Sequence, residues 1–245
     1  YGGPTRVADT YRAGRVFLVG DAAHTFFPLA ALRLNTCLDD AVNLGWKLAA
    51  DLAGRAPAGL LDSYDAERRP VGMRSGAVTD AQLALIHPAQ TVAPLRELFG
   101  ELLAFPDANR HILDVVTGLE VRYPMPGEQV AGDQMASPLL GRRLPHVPLS
   151  TTVGHTTVPA LLESGQGLLL TFDDKAEGPP APCPWPGRVV AATASTVPDI
   201  EAAAVLVRPD GHVAWVQPAD TPVDRDGLVR AGTHWFGVAG FGATA

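Results

Sequence analysis

The chain has 245 residues, of which 47% are hydrophobic and 18% charged, and its formal net charge is −7. This composition can bury a hydrophobic core, so intrinsic disorder is excluded, and the length fits one large domain or two small ones. The acidic balance leaves no basic stripe for phosphate backbones, which excludes nucleic acid as a partner. Because no apolar run reaches about 18 residues and no secretory leader pattern is present, we expect no membrane association.

The cysteines and histidines predict neither disulfides nor metal. Cys37 and Cys183 lie far apart and form no CxxC pair, so a disulfide framework or zinc site is not indicated, and a reducing, cytoplasmic setting is expected. The seven histidines show no spacing typical of metal ligands, and we predict no metal. The chain begins with Tyr1 rather than Met, so we expect that an N-terminal part is missing.

The first elements along the chain are a strand, a turn and a loop. Residues 15–20 form a continuous apolar run that ends at a Gly-Asp turn, and this pattern predicts a buried, parallel strand. Asp21 is either a structural cap of the turn or an acceptor for sugar-type hydroxyl groups. His24 is predicted to be a packed loop histidine. Phe26 and Phe27, which precede Pro28, could line a pocket for a planar polycyclic ligand.

A long amphipathic helix is predicted after this loop. Apolar residues recur mostly at four-residue spacing over residues 35–53, with Asn35 as the candidate cap. Asp39 and Asp40 suit the first turns of such a helix and are interpreted as structural. A second helix is predicted over residues 60–87 with a bend at Pro70, because proline lacks the amide donor. Two shorter helices are predicted over residues 92–105 and 109–120.

The composition changes to Pro, Gly and polar residues over residues 123–147, so we place a domain boundary near residue 125. Beyond it, Pro209-Asp210-Gly211 is a hairpin signal between two predicted strands. The predicted strands are Gly167–Phe172, Arg188–Thr193, Ala203–Val207 and Val213–Val216. A terminal helix is predicted over residues 228–236. The fold class is therefore α/β, with a first domain over residues 1–125 and a second over residues 126–245.

The segment from Arg12 to Gly72 carries the most specific motifs. They are Gly20-Asp21-Ala22-Ala23-His24, Pro28, Leu34-Asn35, DAVNLGWKLA over residues 40–49 and YDAERRP over residues 64–70. With these motifs the sequence resembles the class A flavoprotein monooxygenases, the p-hydroxybenzoate hydroxylase-like family, and most closely the aromatic polyketide hydroxylases. GRRLPH over residues 141–146 and LVRPDGHVAW over residues 206–215 resemble the family's thioredoxin-like C-terminal domain.

The resemblance implies an α/β fold in which the C-terminal remnant of a flavin-binding domain, with long helices, precedes a thioredoxin-like domain without CxxC. It implies FAD as cofactor and NAD(P)H as reductant. By their places in the motifs, the candidate cofactor-binding residues are Gly20, Asp21, Pro28, Leu34 and Asn35. In such enzymes the Asp at position 21 holds the ribityl chain, the Pro at 28 lies beside the isoalloxazine, and the helix beginning near Asn35 points at the pyrimidine ring. The sequence identifies no catalytic residue.

The loop from Pro28 to Asn35 departs from the family pattern. The family's PLGGQGLN is PLAALRLN here, so glycines are replaced by Ala30, Ala31 and Arg33. A Cβ in a left-handed conformation costs roughly 1–2 kcal/mol per residue, so we expect the loop to be reshaped. Arg33 is expected to fill flavin volume or to pair with Asp21 or Asp40. The alternative is that it offers positive charge to an anion.

The family's dinucleotide-binding GxGxxG turn has no counterpart in the sequence. We therefore predict the C-terminal portion of an FAD- and NAD(P)H-dependent aromatic polyketide hydroxylase, inactive alone, that works with an N-terminal half or a partner enzyme on a polycyclic aromatic polyketide-like molecule. The alternative is a flavin-free accessory or binding protein, or a cofactor-independent polyketide-modifying enzyme such as a cyclase, derived from that family. Apolar surface between residues 60 and 120 favours self-association, and we predict a homodimer.

Overall fold

The computed structural model describes residues 4–29, 31–86, 88–126, 137–152, 154–174, 183–219 and 221–240. Contacts within the chain divide it into two compact units. Unit 1 consists of residues 1–45 and 61–121, and unit 2 consists of residues 46–60 and 122–245. The mixture of helices and a mixed sheet confirms the predicted α/β class.

Unit 1 begins with two small antiparallel strand pairs. The four strands, each of two residues, are β1 (Arg6–Val7), β2 (Arg12–Ala13), β3 (Val16–Phe17) and β4 (His24–Thr25). Strand β1 pairs with β4, and β2 pairs with β3. A single 3-10 turn over Gly20–Ala22 connects β3 to β4 and carries Asp21.

The prediction of a buried parallel strand over residues 15–20 is wrong. Within this run only Val16–Phe17 is paired, its partner is antiparallel, and the side chain of Val16 is 63% exposed. An apolar run becomes a buried parallel strand only where other elements cover both of its faces. In the described part of the chain, this run has a single two-residue partner strand.

The four predicted helices of the first domain are confirmed. They are α1 (Leu32–Leu52), α2 (Ser63–Ala84), α3 (Ala93–Leu103) and α4 (Pro106–Thr117). Pro106 separates the last two because its fixed φ suits the first helical position and it needs no amide partner there. The predicted end of the second helix at His87 lies outside the described residues.

Helix α1 starts three residues before its predicted cap. The amide of Asn35 donates to the carbonyl oxygen of Ala31, so Asn35 lies within the first turn and does not cap the helix. Asp39 and Asp40 consequently lie beyond the first turn, which corrects their predicted placement. The sequence did not predict this earlier start of the helix, because Leu32 and Arg33 belong to a loop in the resembled family.

Helices α3 and α4 of unit 1, and the residues just after each of them, expose many apolar residues. Each of these residues is between 49% and 63% exposed. On the helices they are Leu95, Leu98, Leu102 and Leu113, and after them Phe105 and Leu119. An apolar surface of this kind was predicted for residues 60–120. No helix in the described ranges is long and apolar enough to cross a membrane.

Unit 2 contains a six-stranded mixed sheet. Its elements are β5 (Pro148–Thr151), β6 (Gly154–Thr157), α5 (Val158–Leu162), β7 (Gly167–Phe172), β8 (Val189–Ala194), β9 (Ala204–Val207), β10 (Val213–Gln217) and α6 (Arg225–Phe236). The strand order is β10-β9-β7-β8-β5-β6, in which only β7 and β8 are parallel to each other. Four predicted strands, the β9–β10 hairpin and the terminal helix are confirmed, whereas β5, β6 and α5 were missed.

The core of unit 2 lies on this sheet. Strand β7 is its centre, with Leu168 and Leu170 fully buried between β8 and β9. Val205 and Val207 of β9 and Val213 of β10 are also fully buried. Continuous apolar runs of this kind are what a strand with two covered faces requires, which explains why these strands were predictable from sequence.

Candidate functional site

A cavity of about 490 Å³ lies in unit 1 beside the first turns of α1. Its lining residues in the described part of the chain are Asp21, Pro28, Ala31, Arg33, Leu34 and Cys37. One side chain is anionic, one is cationic and the rest are apolar or weakly polar. Such a mixture suits a planar ligand with an apolar ring and a polar chain.

Asp21 and Arg33 form a two-pronged ion pair on the wall of this cavity. Arg33 Nε donates to Asp21 Oδ1 at 2.8 Å, and Arg33 Nη2 lies 2.6 Å from Oδ2. Arg33 Nη1 also donates to the carbonyl oxygen of Phe26 at 3.3 Å. The hydrogen bond from Arg33 holds the pKa of Asp21 below its usual value. Of the alternatives predicted for Arg33, pairing with Asp21 is the one the structure contains.

The thiol of Cys37 is a further polar group on the wall of the cavity. Its Sγ donates to Asp21 Oδ1 at 3.6 Å. Burial, and then the negative charge of Asp21, raises the pKa of Cys37 to about 11. The thiol is therefore protonated near neutral pH and acts as a weak donor, not as a nucleophile.

Ala31 has φ of +57°, and it is the single residue other than glycine with positive φ among the described residues. It occupies one of the positions where the resembled family has glycine. The left-handed conformation is therefore present here despite a Cβ, at the steric cost that L-residues incur there. Ala30, another of the three replaced positions, lies outside the described residues.

A buried ionic cluster supports the turn that carries Asp21. Oδ2 of Asp40 lies 2.7 Å from Nε2 of His24 and accepts the amide of Gly20 at 3.2 Å. Oδ1 of Asp40 accepts Nε of Arg68 at 2.7 Å. Arg68 Nη2 donates further to the carbonyl oxygen of Thr36 at 3.1 Å. Asp40 therefore joins helices α1 and α2 to the turn, and its charge is balanced inside the protein.

Gly20 itself is required by this arrangement. It is buried, its φ is +57°, and a Cβ there would lie 3.2 Å from Sγ of Cys37. Both the backbone conformation and the close approach to α1 therefore favour glycine. The turn that carries Asp21 therefore depends on glycine at position 20 and on the hydrogen bond from the Gly20 amide to Asp40.

The predicted site residues fall into two groups. Asp21, Pro28 and Leu34 line the cavity, whereas Gly20 is buried at the start of the 3-10 turn and Asn35 is exposed on α1. Their contacts with a cofactor remain predictions. The sequence predicts Asp40 to be structural or a partner of Arg33, and its pairing with His24 and Arg68 was missed. The motif runs over residues 40–49 and 64–70, which contain Asp40 and Arg68, are the signal that could have indicated it.

Two predictions about the loop histidine and aromatics have different outcomes. His24 is 2% exposed, which confirms it as a packed histidine. Phe26 is 3% exposed and its ring stacks on His24 with centroids 5.5 Å apart, so it packs inside unit 1 and cannot line an open pocket. Phe27 is half-buried and is not among the residues that line the cavity.

Unit 2 contains a separate buried ion pair at the β9–β10 hairpin. Arg208 Nη2 pairs with Oδ2 of Asp210, and both side chains are inaccessible. The guanidinium lies 4.2 Å from the ring centroid of Trp235, and Trp46 Nε1 donates to Asp210 Oδ2 at 3.2 Å. Burial opposes the charge of Asp210, but Arg208 and His212 outweigh it and hold the pKa of Asp210 well below its usual range. This cluster stabilises the turn of the hairpin.

In the ranges that the structure covers, no group of three or more His, Cys, Asp or Glu side chains is arranged to hold a metal ion.

Two family models match the chain. Residues 1–79 match the FAD binding domain, and residues 137–239 match the C-terminal domain of aromatic-ring hydroxylases. The cavity and its supporting cluster lie inside the first of these segments. Together these findings show that the chain resembles aromatic-ring hydroxylases in two segments, the FAD binding domain and the C-terminal domain.

Three individual proteins are similar to this chain over nearly all of its length. Anhydrotetracycline monooxygenase of Streptomyces rimosus is 42% identical over 238 residues, covering 95% of this chain and 45% of that protein. Dialkyldecalin synthase of Streptomyces rugosporus is 41% identical over 235 residues, covering 96% and 44%. The crystal structure of CabE, an aromatic hydroxylase from angucycline biosynthesis, matches with a TM-score of 0.83 and 44% identity, covering 98% of this chain and 48% of that one.

The chain thus spans about half the length of the curated relatives it matches. The resemblance to the class A flavoprotein aromatic hydroxylases, inferred from the motifs, is confirmed, and the chain corresponds to the C-terminal part of these proteins. FAD is the cofactor of this family.

Proposed function

We propose that this chain forms one side of the flavin site of an FAD-dependent aromatic hydroxylase. One observation carries this proposal. Asp21, Pro28 and Leu34, three of the predicted cofactor residues, line a single cavity within the segment that matches the FAD binding domain. The cavity therefore has the composition and the position expected of a flavin site.

The residues of the cavity fit part of a flavin. The carboxylate of Asp21 can accept hydrogen bonds from ribityl hydroxyl groups. Pro28 and Leu34 offer apolar surface to the edge of an isoalloxazine ring, and the nearby N-terminal end of α1 favours negative charge on a bound ring. When bound, FAD supplies the oxygen activation that hydroxylation needs, with NAD(P)H as the electron source.

The substrate class and partners are further parts of this proposal. The relatives named for anhydrotetracycline and angucycline chemistry favour a polycyclic aromatic polyketide as substrate. We propose that the dinucleotide end of FAD is bound by an N-terminal half or by a partner enzyme. The apolar side chains exposed on α3 and α4 support the predicted homodimer, which light scattering of the purified chain tests directly.

A second candidate function is cofactor-independent cyclisation. The 41% identity to a protein named dialkyldecalin synthase favours it. So does the 40% identity, with a TM-score of 0.76, to the solved structure of the Diels-Alderase PyrE3. In that case the cavity would hold a polyketide chain, and the site would act through shape and apolar contact.

Flavin binding separates the two functions. The purified chain, alone and co-expressed with the N-terminal half of anhydrotetracycline monooxygenase, is titrated with FAD and followed by absorption and flavin fluorescence. We expect bound flavin in the co-expressed complex, and weaker binding with Asp21→Asn. Asp62→Asn is the control, because Asp62 also pairs with an arginine but lies outside the cavity lining. Absence of flavin from both preparations would contradict the flavin site and favour the cyclase.

A further inference from the structure

We propose that Arg33 determines ligand specificity at this cavity, because its ion pair with Asp21 closes the site to polyhydroxylated ligands until the pair opens. This inference rests on the proposed flavin site, and it adds a residue that controls which ligands enter. The ligand class concerned is a planar ring that carries a polyol chain.

A polyol chain and the Arg33 guanidinium compete for the same oxygen atoms of Asp21. A carboxylate only accepts hydrogen bonds. Arg33 Nε and Nη2 lie 2.8 Å from Oδ1 and 2.6 Å from Oδ2 of Asp21, and Cys37 Sγ donates to Oδ1 at 3.6 Å. Arg33 and Cys37 thus occupy three of the about four acceptor positions of the carboxylate. A polyol chain that donates two or more hydroxyl groups to Asp21 therefore has to displace the guanidinium.

The ion pair between Asp21 and Arg33 lies where a ligand would enter the cavity. Asp21 and Arg33 both line the cavity, together with Pro28 and Leu34. Arg33 also donates to the carbonyl oxygen of Phe26, so its side chain crosses from α1 to the preceding loop. Displacing the guanidinium would free the carboxylate while leaving the apolar wall in place.

The exposure of the two side chains allows the ion pair between Asp21 and Arg33 to open. The Arg33 side chain is 24% exposed and the Asp21 side chain is 64% exposed. Ion pairs with this exposure are weak and are screened by salt. In addition, Arg33 is the second residue of α1, where the helix dipole disfavours a cation. The positive charge of Arg33 at this position therefore does not stabilise the helix.

Riboflavin is the probe for the test, because it has the isoalloxazine ring and the ribityl chain but no phosphate that could attract Arg33. The full chain and its Arg33→Ala variant are titrated by flavin fluorescence. We expect Arg33→Ala to bind riboflavin about tenfold more tightly or better. Lumiflavin, which lacks the polyol chain, should bind both proteins with affinities that agree within about twofold, since it does not compete for Asp21.

Arg12→Ala is the matched control. Arg12 pairs with Asp62 at nearly the same exposure, 23% and 77% of the two side chains, and neither residue lines the cavity. We expect riboflavin affinity to be unchanged in this variant. Adding Asp21→Asn to Arg33→Ala should remove the gain, because the amide replaces one acceptor oxygen by a donor. Arg33→Gln is the second variant if Arg33→Ala does not fold by circular dichroism.

The salt dependence of riboflavin affinity gives an independent test of the ion pair. Raising NaCl from about 50 mM to about 500 mM shortens the Debye length and weakens an exposed ion pair. Riboflavin should therefore bind the unmodified chain more tightly at high salt, while its affinity for Arg33→Ala stays constant. This response would not follow from a purely structural role of Arg33.

The outcomes separate the two proposals. Equal riboflavin affinity of the unmodified chain and Arg33→Ala would overturn the role of Arg33 and leave the flavin site intact. Weaker binding by Arg33→Ala would make Arg33 a ligand contact and would also overturn its closing role. If neither protein binds riboflavin or lumiflavin at about 1 mM, a range in which even weak complexes form, the closing role of Arg33 is wrong, and the co-expressed complex titrated with FAD then decides the flavin site separately.

Discussion

Nε2 of His24 lies 2.7 Å from Oδ2 of Asp40, and neither side chain is accessible to solvent. The same carboxylate also accepts Arg68 and the amide of Gly20. A buried cluster of this kind contributes little net stability as a whole, but removal of one member leaves the others without compensation. The cavity residue Asp21 follows Gly20 directly. The position of Asp21 therefore depends on a charge cluster that does not contact the cavity.

Asp40→Asn should lower the free energy of unfolding by about 3–5 kcal/mol, because it leaves the buried guanidinium of Arg68 without its anion. Urea unfolding followed by far-UV circular dichroism measures this loss. Asp51→Asn, an exposed position on the same helix, is the control and should change stability by no more than about 0.5 kcal/mol. Equal effects of the two variants would show that the cluster has no special role.

The packing of α2 against Tyr11 gives a second prediction. A Cβ on Gly72 would lie 2.1 Å from Oη of Tyr11, and Tyr11 is fully buried. Gly72→Ala should therefore destabilise unit 1 by about 1–3 kcal/mol through overpacking. Tyr11→Phe should restore most of this loss, because the remaining contacts of the new Cβ are at 3.4 Å.

The rescue has a specific reason. Among the described residues, the buried Oη of Tyr11 has no hydrogen-bond partner, so Tyr11→Phe alone should be neutral or stabilising. Gly100→Ala is the control for helix propensity, since in the described part of the chain a Cβ there would meet no atom within 4 Å beyond its chain neighbours and the backbone of its own helix, and it should stabilise by about 0.5–1 kcal/mol. Thermal denaturation of the single and double variants measures all four effects. Additive losses in the double variant would contradict the proposed clash.

Most helices and the strands of the central sheet could be predicted from sequence, because each has an apolar pattern of its own. Strands β5 and β6 could not, since Thr151, His155 and Thr156 belong to a polar stretch whose pairing is decided by the neighbouring β8. The site was partly predictable. Asp21 and Pro28 follow from the motifs, and the sequence offers the pairing of Arg33 with Asp21 as one of several alternatives. The choice among these alternatives depends on the early start of α1.

Ala31→Gly should stabilise the loop before α1. Ala31 has φ of +57°, where a Cβ costs about 1–2 kcal/mol, and part of this gain is offset by the greater freedom of glycine in the unfolded chain. We expect a net gain of up to about 1 kcal/mol in urea unfolding. Ala41→Gly, at an exposed position inside α1, should instead lose about 1 kcal/mol. Losses in both variants would argue against the left-handed conformation at residue 31.

The reactivity of Cys37 gives a prediction about pH. Only the thiolate is alkylated, and burial together with Asp21 raises the pKa of Cys37 to about 11. At pH 8 the thiolate fraction is then about 0.1%, so alkylation by iodoacetamide should be about 100-fold slower than for a thiol of ordinary pKa. The rate should rise about tenfold per pH unit and reach half of its maximum near pH 11. Mass spectrometry of the peptide that contains Cys37 measures this profile. Asp21→Asn removes the negative charge and should shift the profile to lower pH, whereas a rate that is already constant above pH 9 would contradict the predicted environment of the thiol.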